Sequence, residues 1–267
     1  MSIKFFVTDL DGTLLPSGQT VSPKNIQAVQ DMVKAGIIFT VATGRMYKSA
    51  LPIAKNLGVD VPIITYNGAL IKSVSGEIFY SAYLDPQLIK ELTDFCKNQN
   101  WHLQSYSNDN LYYPDYNEFA KGYEDALKIS KGKAIGWNGL KDYTENVPKM
   151  LSISSGAEET ADRIKILKAK FGDRINATRS NAEYTEITRP EVSKAAAVLI
   201  LAKKFNVEVS EIMAIGDSYN DLPMLKAAGK SVAMGNSTPE VKSACDFVTG
   251  DCIDDGFAQA VYKYVLV

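Results

Sequence analysis

The chain has 267 residues, 46 % of them hydrophobic and 22 % charged, with 29 basic against 31 acidic side chains and a formal charge of −2. That length can bury a sizeable core in one large α/β domain or two smaller ones, and the charge balance offers no polyanion-binding surface, so no nucleic-acid partner is expected. No apolar run approaches a membrane span or the hydrophobic part of a signal peptide, so the expected location is the cytoplasm, with no membrane partner.

Residues 3–8 (IKFFVT) form a continuous apolar run ending in a polar cluster, as a buried parallel strand does. Ser22 and Pro23 supply a cap and a first-turn proline for a helix striped by Ile26, Val29 and Val33 and stopped at Gly36. A second buried strand is predicted at 37–42, a helix at about 47–57 and a third strand at 61–65. Two short extended segments flank Ser75-Gly76 and read as a hairpin. From Leu84 to Arg189 the texture changes: an amphipathic helix with Leu88, Leu92 and Phe95, strands near 101–106 and 149–154, a helix at 158–171, and strands near 174–178 and 183–188. The strand–helix alternation then returns, with a helix at 193–205, a strand at 211–215, a helix at 221–228, a strand at 231–234 and two further helical segments. The predicted fold is α/β: a Rossmann-like doubly wound parallel sheet built from 1–83 and 190–267, interrupted by an inserted α+β cap at 84–189.

The single histidine, His102, excludes zinc sites of the H-E-x-x-H type and most histidine-paired nucleophiles, and the phosphate-binding glycine motifs of nucleotide enzymes are absent. Cys96, Cys245 and Cys252 form no C-x-x-C pair and are expected as small buried hydrophobes in a reducing compartment. Chemistry must therefore rest largely on carboxylates, lysine and hydroxyls, with or without a metal ion. Candidates fall just after predicted strands, the positions that gather along the carboxyl edge of an open parallel sheet. Asp9 and Asp11 lie two apart in an extended segment and share a face, so they can address one small volume; the alternative is a solvated turn. Asp217, Asn220 and Asp221 follow the apolar run IMAI, where a cluster of helix caps is the alternative.

These two motifs, in this order at opposite ends of the chain, resemble those of the haloacid dehalogenase superfamily, and more narrowly the Cof-type sugar phosphatases with a large α/β cap between the second and third motifs. The resemblance spans essentially the whole chain and rests on DLDGTL, VATGR (41–45), VSKAAA (192–197) and GDSYNDLPML (216–225), with support from VAMGN (232–236). It implies a HAD-like core and a Mg²⁺-dependent phosphatase acting on a small-molecule phosphate ester, expected to be a sugar phosphate, through an aspartyl-phosphate. By the same resemblance Asp9 is the nucleophile and Asp11 the general acid/base, and Thr43, Lys194 and Asn220 contact the phosphoryl group, aided by the backbone N–H groups of Leu10 and Gly44. Mg²⁺ would be held by Asp9, Asp217 and the main-chain carbonyl of Asp11, with Asp221 supporting the metal shell or orienting Lys194. The chain departs from the family pattern where Glu191 and Ala195 replace the usual glycines around Lys194.

Arg45 either reaches an anionic substrate or forms an ordinary ion pair, and Asn67 either lines the crevice or makes a plain turn with Gly68. His102 reads as structural; Met213, Met224 and Met234 as core; Tyr112, Tyr113, Tyr116 and Tyr123 mainly as cap packing; Arg179 and Arg189 as possible contacts to a second anionic group. Two further functions stay open from sequence, a phosphomutase-type phosphotransferase and a non-catalytic phosphometabolite sensor. A monomer or weak homo-oligomer is expected.

Overall fold

A computed structural model describes residues 2–16, 20–127 and 131–266. They form two compact units, one running to Tyr80 and resuming at Ser193, the other spanning Ser81–Val192, slightly wider than the expected insert.

The first unit opens with β1 (Phe5–Thr8), α1 (Pro23–Lys34), β2 (Ile38–Ala42), α2 (Tyr47–Asn56), β3 (Pro62–Thr65), β4 (Leu70–Ser73) and β5 (Ile78–Ser81). The second unit contributes α3 (Pro86–Asn98), β6 (His102–Ser107), β7 (Asn110–Tyr113), α4 (Glu118–Leu127), β8 (Lys133–Ala134), α5 (Gly136–Asp142), β9 (Met150–Ile153), α6 (Ala157–Phe171), β10 (Asn176–Asn181) and β11 (Tyr184–Thr188). The chain then completes the first unit with α7 (Lys194–Lys204), β12 (Ile212–Gly216), α8 (Leu222–Ala227), β13 (Lys230–Ala233), α9 (Pro239–Ser243), β14 (Phe247–Val248) and α10 (Gly256–Tyr264).

The first unit's sheet has the order β14-β13-β12-β1-β2-β3-β4-β5. Its centre is parallel: Phe5 of β1 registers with Ile212 of β12 on one side and with Ile38 of β2 on the other. A strand buried on both faces must be apolar throughout, which is why FFVT carries no alternation. Phe5 and Val7 pack with Val198 and Leu201 of α7, while Phe6 meets Phe39 and Phe257 on the opposite face. The chain leaves β1 towards β2 in one direction and comes back through β12 on the other side. The carboxyl ends of β1, β2 and β12 therefore border the switch point where α/β sheets bind ligands. Side chains fix the helix starts there: Ser22 accepts from the Asn25 N–H at 3.1 Å and Ser193 from the Ala196 N–H at 3.0 Å.

The second unit's sheet runs β10-β11-β9-β6-β7-β8, antiparallel except for the parallel β7–β8 pair. One face carries an apolar core in which Leu103, Met150 and Ile187 meet Leu92, Leu140 and Leu167 from α3, α5 and α6. The unit differs from its sequence reading between 108 and 147, where β7, α4, β8 and α5 had no counterpart. β8 has only two residues, and α5 starts at one glycine and contains another, so neither presents a readable period. β10 starts at Asn176 because residues 172–174 form a separate 3₁₀ turn. Tyr112, Tyr113 and Tyr123 are buried but Tyr116 is exposed; Cys245 is half-buried, unlike Cys96 and Cys252. Arg189 donates to Glu191 at 2.7 Å, so the carboxylate that replaces a glycine before Lys194 is absorbed by a neighbouring ion pair.

Candidate active site

Asp9 continues the β1 ladder by one residue, its N–H donating to the Ile215 carbonyl at 2.9 Å, and its side chain is buried. The chain then folds back on itself, with the Leu15 N–H on the Leu10 carbonyl at 2.8 Å and the Gly12 N–H on the Leu15 carbonyl at 2.9 Å. Gly12 has φ +83°, and a Cβ there would sit 2.6 Å from an Asp217 carboxylate oxygen. Only glycine allows that approach. The turn is docked from two more directions, by Thr13 Oγ1 on Asp217 Oδ1 at 2.9 Å and by Asn236 Nδ2 on the Gly12 carbonyl at 2.9 Å.

Lys194, the first residue of α7, reaches 185 positions back along the sequence to donate to Asp9 Oδ1 at 2.5 Å. Its second bond goes to Asp221 Oδ1 at 2.7 Å. Asp221 closes a single 3₁₀ turn (Tyr219–Asp221) before α8 rather than lying one turn inside that helix. Its Oδ2 accepts from the N–H groups of Asp217 and Ser218 at 3.2 and 3.1 Å, so both its oxygens are engaged. Asn220 is half-buried and its carboxamide oxygen accepts from the Ser218 hydroxyl.

Carboxylate oxygens of Asp9, Asp217 and Asp221 all lie within 4.8 Å of one another, with the Lys194 ammonium between two of them. Burial, then the Asp221 charge, pushes Asp9 well above the ordinary carboxylate range, and the same two causes raise Asp217 to about 6. For Lys194, burial opposes the charge, but Asp221 and Asp9 outweigh it and hold the ammonium protonated. Three carboxylates facing one monocation leave a negative excess in a buried space. This all-oxygen donor set with uncompensated charge fits a hard divalent cation.

The β2 side completes the rim. Thr43 is buried, and its hydroxyl accepts from the Arg45 N–H at 3.1 Å. The Arg45 side chain does not stand free for an anion: it pairs with both oxygens of Asp11. The Asp11 carboxylate is thus turned to Arg45 and is not part of the acidic cluster of Asp9, Asp217 and Asp221. Asn67 is no plain turn residue. It lies in a left-handed stretch with Tyr66 (φ 52°), Asn67 (φ 56°) and Gly68 (φ 107°), and its N–H donates to the Thr43 carbonyl at 3.0 Å. Its buried Oδ1 has no hydrogen-bond partner among the described residues and lies against Gly44, where a Cβ would be 2.9 Å away. Leu10 is buried and its carbonyl serves the turn described above. His102, Arg179, Arg189 and the four tyrosines belong to the second unit. Thr13 and Asn236 carry no role from sequence, although both stand inside the motifs DLDGTL and VAMGN.

The haloacid dehalogenase-like hydrolase family model matches residues 6–261. The chain belongs to this family. A relative from Haemophilus influenzae is 30 % identical over 259 residues, 97 % of each chain. The Bacillus subtilis 5-amino-6-(5-phospho-D-ribitylamino)uracil phosphatase YwtE is 29 % identical over 276 residues, 96 % of each chain. Among solved structures, TM0651 from Thermotoga maritima superposes with a TM-score of 0.85 at 30 % identity, covering 98 % of this chain and 97 % of its own. The haloacid dehalogenase-like chain is accordingly an enzyme, a phosphoric monoester hydrolase. No described helix is long and apolar enough to cross a membrane.

Proposed function

We propose that this hydrolase is a Mg²⁺-dependent phosphatase of small sugar or sugar-alcohol phosphates that works through an aspartyl-phosphate on Asp9. The observation that carries the proposal is the Lys194 ammonium bridging Asp9 and Asp221 beside Asp217, a buried site with an anionic nucleophile and an incomplete complement of positive charge. Asp9, Asp217 and the Asp11 main-chain carbonyl would hold the ion; Asp221, with both oxygens already engaged, orients Lys194 instead. Bound Mg²⁺ supplies the charge that lets a carboxylate approach an anionic ester.

With one oxygen engaged by Lys194, the other oxygen of Asp9 attacks phosphorus and the bond to the leaving alkoxide breaks. Asp11 gives that alkoxide a proton and then takes one from the water that attacks the phosphorus of the acyl phosphate, releasing inorganic phosphate and restoring Asp9. Lys194, the Thr43 hydroxyl, the Asn220 carboxamide and the N–H groups of Leu10 and Gly44 neutralise and orient the phosphoryl oxygens. The Ser81–Val192 unit is proposed to set substrate choice. The phosphorylated ribityl chain in the 5-amino-6-(5-phospho-D-ribitylamino)uracil named for the relative YwtE supports that substrate class.

The Asp9→Asn variant tests this directly: it keeps its fold, loses turnover and no longer yields a hydroxylamine-sensitive acyl phosphate from substrate. Undiminished turnover would retire the nucleophile assignment. Removal of divalent metal by a chelator should abolish activity, and Mg²⁺ should restore it. Recovery of a phosphorylated acceptor in place of free phosphate would instead favour transfer between sugars.

A further inference from the structure

The Asp11 carboxylate is half exposed and forms hydrogen bonds with one side chain alone among the described residues. Arg45 Nε donates to its Oδ2 at 2.8 Å and Nη2 to its Oδ1 at 2.5 Å, the two-pronged geometry that a planar guanidinium matches to a carboxylate. The two partners are unequal. The Asp11 side chain is 50 % exposed and that of Arg45 only 15 %. Arg45 is also fixed through its backbone, its N–H on the Thr43 hydroxyl at 3.1 Å and its carbonyl accepting from the Tyr66 N–H at 2.9 Å. That second bond comes from the left-handed Tyr66–Gly68 stretch, a conformation costly for the two non-glycine residues and kept only where the surroundings enforce it. A mostly buried arginine, tied down through its backbone, thus holds a half-exposed carboxylate.

We infer that Arg45 is the positioning residue for Asp11, fixing where the carboxyl group stands for proton transfer to the leaving oxygen, and is not itself a phosphoryl-binding group. The inference rests on the proton-transfer role proposed for Asp11, and the test separates the two. Proton delivery matters most when the leaving group is a poor one, so an alkyl ester such as a hexose 6-phosphate depends on it far more than p-nitrophenyl phosphate does. Comparison of kcat/KM for the two esters isolates this, because it covers the steps up to departure of the leaving group.

The experiment uses the full-length enzyme with Mg²⁺ and the variants Arg45→Gln, Arg45→Lys, Asp11→Asn and the Arg45→Gln/Asp11→Asn pair, each first shown to melt like the parent. Proton transfer contributes ~10²–10⁴-fold in typical enzymes, and a mispositioned acid forfeits part of it. Arg45→Gln should therefore lower kcat/KM on the alkyl ester about tenfold or more and on the aryl ester much less, with competitive inhibition by inorganic phosphate within about twofold of the parent. The double variant should be no slower than Asp11→Asn alone, and Arg45→Lys should recover only part of the loss, since an ammonium cannot make the two-pronged contact. Equal losses on both esters with weakened phosphate inhibition would overturn the inference and make Arg45 a phosphoryl ligand. Multiplicative losses in the double variant would overturn it too. Absence of leaving-group dependence in Asp11→Asn would retire the proton-transfer role itself and the inference with it.

Discussion

Lys194 shows how much one side chain carries. It is buried with two bonded carboxylates, so its removal takes the ammonium from Asp9 and leaves Asp221 with its bonds to Asp217 and Ser218 alone, in a space already too negative. Breaking a buried pair by deleting one member typically costs ~3–5 kcal/mol, and Lys194→Met should fall in that range in urea unfolding at neutral pH without divalent metal. The direction with pH follows from Asp9. Its folded-state affinity for protons is already raised by burial and by Asp221, and losing the lysine removes the one nearby charge that lowers it. A carboxyl group whose folded value lies above its unfolded value loses stability as pH rises, so the penalty for Lys194→Met should be larger at pH 8 than at pH 5. A penalty independent of pH would mean that Lys194 acts through packing and not through charge.

At the scale of elements, the left-handed segment Tyr66–Gly68 joins two parts of the site. Its N–H groups strap the 43–45 loop, and Gly68 packs against the start of α7, where a Cβ would lie 2.3 Å from the Ser193 carbonyl. Gly68→Ala meets that clash at φ +107°, so it should cost roughly 2 kcal/mol or more and displace Lys194. A thermal melt and the rate of phosphate release, both impaired, would show it; a fully active and stable variant would contradict the contact. This junction also marks where sequence reading stops. β1 was legible as a continuous apolar run, and α1 and α7 because each opens on its own serine cap. Asp9, Asp217 and Asp221 could be singled out because each follows a predicted strand, Lys194 through the family resemblance of its motif, and the structure brings the four together. The Asp11–Arg45 pair could not be read in the same way: it joins two loops 34 residues apart, and no local pattern encodes which partner an exposed carboxylate will choose. The same limit hid the stretch from 108 to 147, where short strands and glycine-bearing helices owe their form to tertiary packing.

At the scale of the whole molecule, each unit has its own sheet and its own apolar core, so unfolding need not be a single transition. The two should answer to different ligands. Mg²⁺ binding at the acidic cluster would stabilise only the first unit, by about 2.7 kcal/mol at a hundredfold excess over its Kd. Protons act on the second through the chain's one histidine. His102 is 5 % exposed, and its ring nitrogens lie 3.1 Å from Asn117 Nδ2 and 3.2 Å from Gln104 Nε2, both donor amide nitrogens, so the neutral ring accepts from one of them and an imidazolium would accept from neither. Burial lowers its pKa from 6.5 to about 4, with only Asp115 pulling the other way. Between those values the unfolded chain binds a proton that the folded unit refuses. Stability contributed here is therefore intact above pH 6.5, falls as pH drops towards 4, and falls no further below it. At pH 5 the loss is about 2 kcal/mol. Calorimetry of the parent should show the transition of the Ser81–Val192 unit moving down between pH 7 and pH 5 while failing to respond to Mg²⁺. His102→Gln, less stable at pH 7 for want of the buried ring's packing, should show a distinctly smaller drop over the same interval. An acid-induced drop of equal size in that variant would assign the pH dependence to the carboxylates and not to the histidine.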